Sequence, residues 1–273
     1  MILIFSLLPA LLTFGLLIFR AWYDVKAYRF GSRIDERRNN VFDYVLCLPK
    51  GYSDFSGKRP LLIYLHGTGG VGKDISAIDE SGMFYDSDSE VTPDDFPFIV
   101  LRPVTPTHGW KPDAVVRFLD TFLADKRFRY KIDESRIYLT GYSMGGFGTF
   151  AAAAKFPDRF AAIAPLAGGF DPADAQQLLR VPIWAFHGGA DETVPFESSE
   201  KIVQALKEQN HPDVRLTELT GFGHDIWGEV YNRPELYRWF LVHKRNPLSD
   251  KINDKINDNI NDNINGKTAK GEK

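Results

Sequence analysis

Residues 136–156 read RIYLTGYSMGGFGTFAAAAKF, and the fold turns on the middle of that stretch. RIYLT is a short apolar run of strand length, and FGTFAAAAKF is built from good helix formers. Between them lies Gly141-Tyr142-Ser143-Met144-Gly145-Gly146. A serine at a strand-to-helix junction sits in a strained backbone conformation that turns its hydroxyl outward. The flanking glycines leave room where a Cβ would collide with the neighbouring strand or helix. At the start of a helix, the N–H of Met144 has no partner inside the helix and can face developing negative charge. A G-x-S-x-G pentapeptide alone carries little weight. Its place between a strand and an alanine-rich helix carries the reading.

Working outward, the same alternation recurs. Strand candidates are VFDYVLCL, LLIYL, FPFIVL, RIYLT, AAIAPLA, VPIWAF and VRLTEL. AVVRFLDTFLADKRF, MGGFGTFAAAAKF and SSEKIVQALKEQ carry helical patterns between several of them. This order predicts an α/β fold with a mainly parallel sheet and helices on both faces. In such sheets the chemistry collects in loops beyond the carboxyl ends of the strands.

Those loops hold the partners that a serine nucleophile needs, a base and an acid to orient it. After VPIWAF comes His187-Gly188-Gly189-Ala190-Asp191-Glu192-Thr193-Val194-Pro195, where Asp191 is the candidate acid and Glu192 its neighbouring alternative. After VRLTEL comes Thr220-Gly221-Phe222-Gly223-His224-Asp225, where His224 is the candidate base. Asp225 reads as a local turn partner. His187, His66 and His211 are the competing bases, and His108 and His243 read as loop and helix-surface residues. No His, Asp or Glu pair has helical metal-ligand spacing, so neither a metal nor any other cofactor is implied.

His66–Asp74, HGTGGVGKD, also admits nucleotide-binding readings. A phosphate-cradling loop needs Ser or Thr after its lysine, whereas Asp74 follows Lys73. A dinucleotide fingerprint needs an acidic residue at the end of a second strand, whereas Glu90 falls in the polar SDSEVTPDD. No nucleotide is expected here. A net charge of -3 leaves no electrostatic footprint for nucleic acid either.

Together LHGTGG, RIYLTGYSMGGFGTF, FPDRFAAIAPLAGGFDP, VPIWAFHGGADETVP and GFGHDIWGEVYNRPELYRWF resemble the α/β-hydrolase superfamily. The branch they resemble is the phospholipase/carboxylesterase and dienelactone hydrolase-like one, with its bacterial prolyl oligopeptidase-like esterases. The resemblance runs from about Val41 to His243 and covers several motifs in order. It implies the α/β-hydrolase fold, with Ser143 as nucleophile, Asp191 as acid and His224 as base. It further implies an oxyanion hole from the backbone N–H groups of Thr68 and Met144, with Trp110 and Trp227 as aromatic pocket walls. The activity to expect is cleavage of small carboxylic esters through an acyl-enzyme. A serine peptidase of prolyl oligopeptidase type and a non-catalytic binding protein on the same scaffold are the alternatives. No long insertion separates the later strands, so no large lid domain is expected.

Both ends differ from the middle. Residues 1–20 contain MILIFSLLPALLTFGLLIF without a charged side chain, long enough to span a bilayer as a helix. The expected role is a membrane anchor, with a cleaved signal segment as alternative. Positive charge after the run, at Arg20, Lys26, Arg29 and Arg33, favours a cytoplasm-facing domain; a secreted or periplasmic one follows if the segment is cleaved. Residues 21–40 read as a basic polar linker and 41–243 as the catalytic domain. Residues 244–273, with their KINDKINDNINDNING repeat, read as a low-complexity, disordered tail. The single cysteine, Cys47, excludes an internal disulfide framework and reads as a core strand residue.

Overall fold

The computed structural model describes residues 23–28, 42–49, 57–74, 96–126, 128 and 131–245. The expected anchor at 1–20 and nearly all of the tail at 244–273 lie outside them. Among the described residues no helix is long and apolar enough to cross a membrane.

Eight strands form one sheet: β1 (Tyr23–Tyr28), β2 (Asp43–Pro49), β3 (Arg59–Leu65), β4 (Ile99–Val104), β5 (Ile132–Tyr142), β6 (Ala162–Leu166), β7 (Ile183–Gly188) and β8 (Val214–Leu219). Their spatial order is β1-β2-β4-β3-β5-β6-β7-β8. From β4 to β8 all neighbours are parallel, while β2 runs antiparallel to both β1 and β4. All seven expected strands are present. β1 corrects the reading of 21–40 as a linker. YDVKAY pairs along its whole length with β2, from Tyr23 opposite Pro49 to Tyr28 opposite Tyr44, and forms the edge of the sheet.

The connecting segments after β4 are helical: α1 (Pro112–Ala124) before β5, α2 (Met144–Lys155) before β6, and α3 (Glu197–Glu208) before β8. Two further helices close the chain, α4 (Trp227–Tyr231) and α5 (Pro234–Val242). α1 starts with proline at its first position and Asp113 in its first turn, both favourable at a helix N-terminus. Its buried Val115, Phe118, Leu119 and Phe122 recur at i, i+3, i+4 and i+7, as do Ser199, Ile202, Val203 and Leu206 of α3. α5 was not legible as an element of its own, yet it too opens with proline and buries Leu236, Tyr237 and Phe240.

Alternating residues of the buried strands feed two separate cores. Leu61, Ile63 and Leu65 of β3 pack with the inner faces of α1, α2 and α3. Leu62 and Tyr64 pack with Tyr231 of α4 and with Tyr237 and Phe240 of α5. That is why the central strands read as continuous apolar runs: both faces are covered. Each fully buried Leu, Ile or Phe contributes about 1.5–3 kcal/mol by leaving water. Cys47 is buried in the second core, as expected. No segment among the described residues forms a separate lid.

The strand order also fixes where a site can form. β4 lies on one side of β3 and β5 on the other, so the chain order reverses there. At such a reversal the loops leaving adjacent strands separate and open a crevice at their carboxyl ends. His66–Gly70 leaves β3 at this point, and Ser143 ends β5.

Candidate active site

Ser143 has φ 57° and ψ -118°, a conformation rarely adopted by a residue with a side chain. Its N–H donates to the Leu166 carbonyl at 2.9 Å, tying the turn to the end of β6. The glycines around it are sterically required. A Cβ on Gly145 would overlap the Leu65 carbonyl, and one on Gly146 would overlap the Leu166 carbonyl. α2 therefore enters between the ends of β3 and β6 at backbone contact distance. Gly145→Ala is expected to cost at least about 3 kcal/mol, because the neighbour is rigid backbone. Thermal melts should show a Tm lower by roughly 6–12 °C.

His224 and Asp191 reach this serine from two other loops. His224 Nε2 lies 2.9 Å from Ser143 Oγ, and Nδ1 lies 2.7 Å from Asp191 Oδ2. Asp191 Oδ1 accepts the N–H groups of Thr193 and Val194, both at 2.9 Å. Burial raises the Asp191 pKa, but the His224 hydrogen bond and the two amides outweigh it and hold the carboxyl below its ordinary value. With a carboxylate on that side, Nδ1 carries a proton and Nε2 faces the serine as an acceptor.

The loops that carry acid and base are laced together. Gly189 N–H donates to Leu219 O at 3.0 Å and Ala190 N–H to Phe222 O at 2.8 Å. A Cβ on Gly188 would overlap the Gly223 carbonyl, so the glycine permits this approach. On the other side, Tyr142 O–H donates to Asp225 Oδ1 at 2.9 Å, and the Tyr142 ring lies 5.0 Å from the His224 imidazole. Burial, then the Asp225 bond, push the Tyr142 phenol well upward, so it stays a donor. Asp225 thus latches the histidine loop to the residue before Ser143, a longer reach than the local turn expected of it. The partners lie 83 residues apart, and nothing in the sequence links them.

The glycine loop after β3 is held by His66. Its buried ring donates Nδ1–H to the Gly67 carbonyl at 2.6 Å and accepts the Thr105 N–H on Nε2 at 3.2 Å. Both bonds are met by the neutral ring, and burial accordingly lowers its pKa. A Cβ on Gly70 would strike this imidazole, and one on Gly67 would lie 3.5 Å from Ser143 Cβ. Thr68 opens a short 3₁₀ turn, Thr68–Gly70, next to the nucleophile turn. Gly67, just before Thr68, packs against Tyr142 and Ser143, which puts the start of the glycine loop against the nucleophile turn. Lys73 is exposed beyond the turn and joins it only through its backbone N–H, which donates to the Gly70 carbonyl at 3.3 Å.

The two tryptophans part company. Trp110 is 5% exposed, packs against His66 and Phe42, and donates Nε1–H to the His66 carbonyl at 3.0 Å. Gly148 of α2 lies directly against it. The ring expected as a pocket wall is thus drawn into the core beside a glycine-bearing helix, with its one donor satisfied. Trp227 lines a cleft of about 380 Å³ with Phe222, Asp225 and Glu229. A larger cleft of about 680 Å³ was not foreseen, and is walled by Phe147, Phe170, Pro172 and Pro195, with Lys201 and Glu197 at its margin. Phe147 and Phe222 are exposed aromatics, each 4 residues or fewer from Ser143 or His224 in the chain.

Of the remaining histidines, His108 is exposed. His211 is buried against the Leu178 and Val181 carbonyls, and His243 contacts the Trp239 carbonyl and Asp213. His187 Nε2 lies 3.3 Å from Asp191 Oδ2, the same oxygen that His224 Nδ1 bonds at 2.7 Å. Glu192 is exposed and makes no contact with His224. No group of three or more His, Cys, Asp or Glu among the described residues could hold a metal ion.

Residues 119–233 match the model of the phospholipase/carboxylesterase family. The chain is 28% identical over 167 residues to a bifunctional acetylxylan esterase/xylanase of Neocallimastix patriciarum, covering 58% of this chain and 23% of that protein. It is 55% identical over 141 residues to poly(3-hydroxyalkanoate) depolymerase C of Paucimonas lemoignei, covering 38% of this chain and 33% of that protein. The chain thus spans less than half the length of these curated relatives. Among solved structures, a thermostable esterase superposes with a TM-score of 0.67 at 29% identity, over 84% of this chain and 64% of that one.

Proposed function

We propose that this α/β-hydrolase is a serine esterase that cleaves carboxylic esters through an acyl-enzyme. The observation that carries the reading is the unbroken chain Ser143 Oγ–His224–Asp191, with bonds of 2.9 and 2.7 Å, on a strained turn beside the glycine loop. The likeness to proteins named as esterases supports it.

Ser143 attacks the ester carbonyl carbon while His224 Nε2 takes its proton. The carbonyl oxygen becomes an oxyanion and meets the N–H groups of Thr68 and Met144; one such donor is worth about 3 kcal/mol. Asp191 stabilises the imidazolium through Nδ1–H and remains ionised. His224 then gives the proton to the departing alkoxide. Water repeats the sequence on the acyl-enzyme, freeing the acid and restoring Ser143. We assign the two sides of the ester to the clefts walled by Phe147 and by Phe222, aromatics near Ser143 and His224 in the chain.

The test uses one preparation of the full chain, a fluorophosphonate probe, p-nitrophenyl esters of graded acyl length and a matched peptide amide. The expected result is a single covalent adduct mapped to Ser143 by mass spectrometry, with ester turnover far above amide turnover. An adduct elsewhere, or none, sinks the assignment; amide turnover comparable to ester turnover transfers it to a peptidase.

A further inference from the structure

The Ser143–His224–Asp191 arrangement uses one imidazole on Asp191, yet a second one touches the same carboxylate. His187 is completely buried at the end of β7. Its Nε2 lies 3.3 Å from Asp191 Oδ2 and 2.9 Å from the Val194 carbonyl. Its Nδ1 lies 2.7 Å from Ser199 Oγ on α3, and that hydroxyl is also 2.7 Å from the Gly168 carbonyl. The Phe196 ring packs edge-on against it at 5.8 Å.

A carboxylate and a carbonyl only accept, so Nε2 must carry the hydrogen that faces them. Nδ1 then faces Ser199 as an acceptor, and the single hydroxyl hydrogen of Ser199 is shared between Nδ1 and the Gly168 carbonyl, each 2.7 Å from Oγ. Burial lowers the His187 pKa, which favours the neutral ring. His187 gives its Nε2–H to the Val194 carbonyl at 2.9 Å and presents the same N–H edge to Asp191 Oδ2 at 3.3 Å, a weaker contact beside the two amides on Oδ1 and the His224 Nδ1–H on Oδ2. The network also extends behind the nucleophile, since a Cβ on Gly168 would meet the backbone of Gly146 and Phe147. His187 therefore joins the acid loop, α3 and the back of the serine turn.

We propose that His187 is a positioning residue for the acid: by holding Asp191 Oδ2 opposite His224 it sets the basicity of the catalytic imidazole. The proposal rests on the esterase reading. A weak donor on Oδ2 partly compensates its charge. Without that donor the carboxylate attracts the His224 imidazolium more strongly, and the imidazole releases its proton only at higher pH. The groups that face this centre are His187 and its Ser199 partner on one side, His224 on the other, and Tyr142 with Asp225 beyond His224.

Two variants separate the halves of the network. His187→Asn puts its amide near the Nδ1 position, keeping a group for Ser199 and losing the donor to Asp191. His187→Gln reaches the Nε2 position and restores that donor. The readout is the pH profile of kcat/KM for a short p-nitrophenyl ester, on protein shown folded by circular dichroism and reactive with a fluorophosphonate. The expected result is an acid limb moved up by about half a pH unit in His187→Asn, with kcat lowered roughly tenfold, and the wild-type limb recovered in His187→Gln. Unmoved limbs in both variants, or equal shifts in both, overturn the proposal. If neither variant folds, Ser199→Ala replaces them: it frees Nδ1 but leaves the donor to Asp191, so the limb should stay within about 0.2 units of wild type. A limb displaced as far as half a unit in that variant overturns the proposal. Failure of the esterase reading would appear separately, as wild-type protein that turns over no ester.

Discussion

Ser143→Ala should lower kcat for a short p-nitrophenyl ester by roughly 10⁶-fold, about 8 kcal/mol of barrier, with little change in Tm. The size follows from what stays behind. The Thr68 and Met144 amides remain in place, but no atom is left to form the acyl bond, and water must attack without the covalent route. The side chain lost is one hydroxyl, and its hydrogen bond is to His224 at the crevice, not to the core. Alanine is tolerated less well than glycine at φ 57°, yet the native residue already carries a Cβ there, so the backbone strain is unchanged. Fluorophosphonate labelling should vanish together with turnover. A variant that keeps more than a hundredth of wild-type activity would falsify Ser143 as the nucleophile.

The contrast between Ser143 and Trp110 shows what a sequence exposes and what it hides. Ser143 was legible because its constraint is local. The glycines at 141, 145 and 146 stand beside it in the chain, although much of the backbone they make room for belongs to β3 and β6. The central strands were legible because burial on both faces leaves only apolar residues, as in LLIYL of β3. Asp191 and His224 followed from topology, since each ends a loop beyond a parallel strand. β1 was hidden because YDVKAY holds two charged residues among six and no continuous apolar run, a composition that an edge strand tolerates. The packing of Trp110 was hidden because its partner His66 is 44 residues away, and no periodicity reports such a contact. The Tyr142–Asp225 latch and the second imidazole on Asp191 depend on side-chain geometry across distant loops. Their residue types were visible, but their pairing was not.

Asp191→Asn should lower kcat at neutral pH by roughly 10⁴-fold while leaving Ser143 and His224 in place. The direction is fixed by donors around the group. The Oδ1 position receives two backbone N–H groups, from Thr193 and Val194, so only the amide oxygen of asparagine fits there. Its NH₂ is forced to the Oδ2 position and points hydrogens at His224 Nδ1, 2.7 Å away in the native arrangement. Nδ1 must then accept, the ring proton moves to Nε2, and Nε2 can no longer take a proton from Ser143. Labelling by a fluorophosphonate, which needs the same base, should slow in parallel with turnover. Stability adds an independent check. The native Asp191 carboxyl is held below its ordinary value, so its contribution is complete above the unfolded value of about 4 and is lost as pH falls through the folded one. Asparagine does not titrate. The Tm advantage of the wild type over Asp191→Asn should therefore shrink on acidification below about pH 4. A Tm difference that stays constant or widens there would show that Asp191 is not held as a stabilised carboxylate. An Asn variant with near-native kcat would remove it from the role of orienting acid.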